Sequence, residues 1–287
     1  MFFTQNIFTS LITIIPALVL CVLLYKKDTV EKEPVGLLIL LFFLGVIAFI
    51  PSYFLGEFFY ERIGKMFSEY MSLSPEGLIS YTDNKKELLH KLLCSFGGTA
   101  LIQEVFKWTV LVVVTGRNKE FNSLFDGIIY SAYVSIGFAI AGNTLDAFYC
   151  GWDTLAARIF IALPENLFFG IVMGLFYTLW HSYAQAKKQE ADYITQNGLT
   201  VKRKIISKPF FVLSFVVPVI MHGVYSFAGM SRQNYAEIIS CIFTVLFYVL
   251  SIVIVAVMSK SDGTDATVSQ RVLNRKYGIS GSKEEKI

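Results

Sequence analysis

Seven apolar stretches, each about as long as a helix needs to cross the hydrocarbon of a bilayer, divide this sequence and leave only short polar connections between them. They fall near residues 7–25, 35–57, 93–115, 126–148, 157–180, 210–228 and 236–258. A chain built this way satisfies its backbone polar groups inside helices, so the pattern predicts an all-α membrane protein, a bundle of about seven transmembrane helices. The composition agrees. Of the 287 residues 54% are hydrophobic and only 16% charged, well below the roughly 25% charged residues of soluble domains. The first stretch has no basic residue before it and no small-residue cleavage pattern after it. Tyr25-Lys26-Lys27 follows instead as a stop, so it is read as a retained helix rather than a leader.

The basic residues set the orientation. With the N-terminus outside, 17 of the 25 Lys and Arg fall on the inner side and 6 on the outer. This predicts an N-out, C-in topology. They lie in short clusters between apolar runs, which leaves no nucleic-acid patch. No loop is long enough for a separate domain, so residues 1–260 are read as one integral membrane domain. Residues 58–92 are read as an amphipathic outer segment, 185–209 as a polar inner connection, and 261–287 as a disordered cytoplasmic tail rich in Ser, Gly and charge. The four cysteines, Cys21, Cys94, Cys150 and Cys241, have no metal-binding spacing. Two repeated halves, a common mark of transporters, are not found.

Function must then reside in polar residues within the apolar runs, where a charge costs about 2.5–3.5 kcal/mol on insertion scales. These are Glu104 and Lys107, Asp126 and Asp146, Glu165 and His222, accompanied by Gln103, Asn143 and Asn166. At about 1.5 Å of rise per residue, Glu104, Asn166, His222 and Asn143 lie roughly 16, 14, 9 and 8 Å from the outer boundary. Four helices thus carry polar groups in one layer, which predicts a single buried polar cavity open toward the outside. The plainer readings are an Glu104–Lys107 ion pair, a packing histidine, helix caps at Asp126 and Asp146, and close packing at Gly170 and Gly174.

In order, Tyr25-Lys26-Lys27-Asp28 with Glu33-Pro34, Gln103-Glu104-Val105-Phe106-Lys107, Phe125-Asp126-Gly127 with Gly137-Phe138-Ala139, and Met221-His222-Gly223-Val224-Tyr225 resemble the motifs of the PrsW family of intramembrane proteases, related to the CAAX-type prenyl-protein endopeptidases. The resemblance covers about residues 18–229. It implies an endopeptidase that cleaves a single-span membrane protein near the outer boundary, anti-sigma-factor-like by analogy, in contact with membrane lipid. Glu104 would be the water-activating base, His222 and Asn166 the oxyanion donors, Lys107 the partner tuning Glu104, with Gln103 and Asn143 beside them. The departures lie in the same motifs. Gln103 stands where the family has Glu, Gly142 where it has a carboxylate, Asn166 where it has His, and Ser226 where it has Asn. They predict no tightly bound metal, zinc being implied only if the family's site is retained. They also open the alternative of an inactive relative that holds a transmembrane segment or lipid without cutting it.

Overall fold

A computed structural model of the chain describes residues 11–28, 32–73, 79–150, 156–198, 205–230, 234–260 and 265–277. Its helices are α1 (Ile14–Lys27), α2 (Val35–Phe67), α3 (Asn84–Leu92), α4 (Ile102–Thr115), α5 (Asp126–Cys150), α6 (Leu163–Asn197), α7 (Lys208–Gly229), α8 (Asn234–Lys260) and α9 (Asp265–Tyr277). Among the described residues six helices are long and apolar enough to cross a membrane, and α1 accompanies them; the predicted start of the first span, residues 7–10, lies outside those residues. The protein is a multi-pass, all-α membrane protein, apart from a small antiparallel hairpin, Met71–Leu73 against Ile79–Tyr81.

The bundle is organised around α5, which is buried along most of its length and packs most extensively on α6 and α2. Small residues permit these contacts. A side chain on Gly137 would lie 2.0 Å from the Phe42 carbonyl of α2. One on Gly174 of α6 would lie 2.1 Å from Ser131 Oγ and 2.3 Å from the Gly127 carbonyl. Lipid offers apolar surface as good as another helix, so van der Waals fit between backbones drives such packing. Ser131 Oγ adds a hydrogen bond to the Gly170 carbonyl at 2.7 Å.

Three segments differ from the sequence reading. The second helix does not end near 57 but continues to Phe67, so the segment read as outer comprises this extension, the hairpin and α3, capped by Asp83 accepting from Lys85 N at 2.8 Å. The fifth span runs on to Asn197, where Gly198 adopts the left-handed φ of 61° that ends the helix. Residues 185–197 of the supposed connection are therefore helical, as the Ala, Lys, Gln and Glu around Ala184–Ala191 favour in water. The tail expected to be disordered contains α9. Its Lys276 Nζ and Tyr277 Oη donate to Glu190 Oε1 at 2.5 and 2.6 Å, while Ile205 N donates to Glu190 Oε2 at 2.7 Å.

Candidate active site

Two of the site helices emerge from widened, π-wound turns. Leu93–Leu101 leads directly into α4, with Glu104 in its first turn, and Arg158–Ala162 leads into α6, with Asn166 in its first turn. Such turns shift the register of side chains around a helix and recur at functional sites. Pro164 begins α6 at a position where its missing N–H is not needed. His222 comes from α7, four residues beyond Pro218.

Glu104 is the hub. Its Oε1 lies 2.6 Å from Lys107 Nζ on the next turn and 2.8 Å from His222 Nδ1 across the α4–α7 interface. Lys107 Nζ continues the chain by donating to Asn166 Oδ1 at 3.2 Å, and Asn166 Nδ2 donates to the Ala162 carbonyl at 3.0 Å. Four sequence-predicted residues from three helices therefore meet in one hydrogen-bonded cluster. Asn143 is buried on α5, and Gln103 is half-buried beside Glu104, about 100° further around α4. The expected open cavity is corrected by the packing. Glu104 and Lys107 are 0% exposed, His222 3% and Asn166 8%, so the cluster is closed.

Its walls are aromatic. Phe169, one turn beyond Asn166, stacks on the His222 ring with centroids 4.7 Å apart and planes at 17°. Lys107 Nζ sits 5.3 Å from the Phe138 ring centre and 6.0 Å from that of Phe169. The sequence marks Phe138 only as a motif letter and Phe169 not at all; the three-residue spacing from Asn166 was the available signal for Phe169. Asp126, in contrast, organises the turn before α5 by accepting from Asn122 N at 2.8 Å and Ser123 N at 2.7 Å.

The arrangement limits the chemistry. With the Glu104 carboxylate accepting, His222 Nδ1 carries the donated hydrogen, and a neutral ring then presents Nε2 as an acceptor. His222 can donate to an oxyanion only as an imidazolium. One carboxylate oxygen, Glu104 Oε2, is buried and has no hydrogen-bond partner among the described residues, which leaves it as the acceptor for a proton. A zinc ion does not fit these residues. Zinc requires at least three ligands from the protein at a catalytic centre, and only Glu104 and His222 are of ligating type here. Among the described residues no group of three His, Cys, Asp or Glu assembles. The Lys107 ammonium already bears on the same carboxylate oxygen.

Comparison with known proteins points to one family. Residues 33–258 match the family described as PrsW family intramembrane metalloprotease. Protease PrsW of Oceanobacillus iheyensis is 27% identical over 244 residues, 83% of this chain and 90% of that protein. Protease PrsW of Geobacillus kaustophilus is 26% identical over 220 residues, covering 77% and 79%, and that of Bacillus subtilis 26% over 222 residues, covering 77% and 83%. No solved structure gives a significant match.

Proposed function

The chain belongs to the PrsW family of intramembrane proteases, and on that footing we propose that it is a peptidase-type protein of the bacterial inner membrane that receives a single-span membrane protein near the outer boundary, with Glu104 as the group that activates water. One observation carries the reading: Glu104 and His222, far apart in sequence and on different helices, are joined at 2.8 Å with Oε2 of the same carboxylate left as an acceptor. A protein that only packed its helices together would have little reason to bury an ionisable pair in this layer. Lys107 pairs with the carboxylate, His222 orients it, and Asn166 fixes Lys107. The substrate type, anti-sigma-factor-like by analogy, follows from the family alone.

A second reading is favoured by the same geometry. The Oε1 atom is tied to two donors, the His222 donor hydrogen is spent on Glu104, and Asn166 Nδ2 is engaged by Ala162. A set in which the expected donors are committed elsewhere, and in which Gln103, Gly142 and Asn166 replace ionisable side chains, suits a relative that holds a membrane-spanning segment without hydrolysing it.

The two are separated by incubating purified protein with a panel of single-span membrane proteins. Cleavage by the natural chain that disappears in Glu104→Ala supports the peptidase. Capture of a substrate without cleavage, together with cleavage by Gln103→Glu/Asn166→His, supports the binding relative and overturns the first reading.

A further inference from the structure

We infer that Lys107 is the resident cation of this site, so that the cluster is complete without a divalent metal. The inference deepens the reading above, resting on the placement of the family's site at Glu104 and His222, and concerns what balances the charge there.

A carboxylate removed from water needs a cation or a proton. Lys107 Nζ supplies one at 2.6 Å, on the neighbouring turn of the same helix, and is itself 0% exposed. The ammonium is satisfied on two sides, by Glu104 Oε1 and by Asn166 Oδ1 at 3.2 Å, and it faces the rings of Phe138 and Phe169. The amide of Asn166 is oriented for this purpose. Its Nδ2 donates to the Ala162 carbonyl, so its oxygen turns toward the lysine, and the reverse orientation would set NH₂ against NH₃⁺. Asn166 is thus a fitted lysine acceptor, whereas a histidine there would offer a metal a nitrogen at the cost of this contact. A divalent ion at Glu104 would be left with Oε2 of a carboxylate whose other oxygen already holds the ammonium, against like-charge repulsion and with His222 as its one other ligand of suitable type.

The test is read without any substrate, so it stands apart from the cleavage assay. Full-length protein is purified in detergent from zinc-supplemented cells, its metal content measured by mass spectrometry, and its thermal midpoint recorded with and without EDTA. We expect less than a tenth of a zinc per chain and no shift with EDTA. Lys107→Met should lower the midpoint by at least about 5 °C, and Lys107→Met/Glu104→Gln should restore most of that loss because the charge needing a partner is gone. Gln103→Glu/Asn166→His should raise zinc content above that of the natural chain. About one zinc per natural chain, lost in Glu104→Gln, would overturn the inference. So would a double variant no more stable, or no better folded, than Lys107→Met alone.

Discussion

Glu33 is buried in the connection between α1 and α2, where its Oε2 accepts from Tyr130 Oη of α5 at 2.5 Å and its backbone N–H donates to Asp28 Oδ2 at 3.0 Å. Burial, and then the Asp126 carboxylate nearby, push its acid up from the ordinary carboxylate range to about 9. The folded chain therefore retains a proton that the unfolded chain releases, and this contribution to stability is lost as pH rises from about 4.5 toward 9. Glu33→Gln keeps a neutral partner for Tyr130 and should flatten that decline. Thermal midpoints of natural protein and variant between pH 5 and 9 check it, and parallel slopes would contradict it. Sequence reading found the residues at this end of the bundle as motif letters, but assigned Asp126 only to a helix end. The proximity of Glu33 to Asp126 depends on which face of α5 the start of α2 meets, and hydropathy carries no information about that. The residues of the Glu104 cluster were legible for a different reason. A charge in an apolar run is conspicuous, so Glu104, Lys107 and His222 could be selected one by one. The three-residue spacing also gave the Glu104–Lys107 pair; the pairing of Glu104 with His222 was not legible, because which face of α4 meets α7 depends on the π-wound turns before it.

Between helices, small residues set how closely backbones approach. Gly137→Val would drive a side chain into the Phe42 carbonyl, which lies 2.0 Å from the position of its Cβ, and should destabilise the protein by at least about 1–3 kcal/mol. Gly64→Ala meets nothing within 4 Å and should leave stability unchanged or slightly raised. Unfolding in detergent measures both; equal effects would contradict the described α2–α5 contact. The C-terminal end of α6 offers a second test. Deleting residues 265–287 removes the Lys276 and Tyr277 donors from Glu190 and uncovers Ala186 and Ile205, against which Leu273 packs. Trypsin should then cut after Lys187 and Lys188 several-fold faster, and an unchanged rate would show that α9 does not hold this extension. Neither the extension nor α9 was legible from apolar length. A hydropathy window reports where the chain leaves the hydrocarbon, whereas a helix continues for as long as its residues and its packing favour it.

At the scale of the molecule, the distribution of Lys and Arg assigns a polarity. A C-terminal tag should be protected from protease added to intact cells, and a protease site inserted in the hairpin of residues 71–81 should be cut; the opposite pattern would reverse the topology. The fold class and the family were the most legible features, since one needs only apolar lengths and the other short motifs in order. Whether the polar layer is open or closed was not, because depth along a helix says nothing about the aromatic side chains that seal it, here Phe138 and Phe169. The cluster exists only if Glu104 meets its partners across helices, and a double-mutant cycle on unfolding measures that contact directly. Glu104→Gln, His222→Phe and the double variant should show a coupling of about 1 kcal/mol or more between positions 104 and 222. Strict additivity of the two single effects would mean that the side chains do not touch and that no such cluster exists.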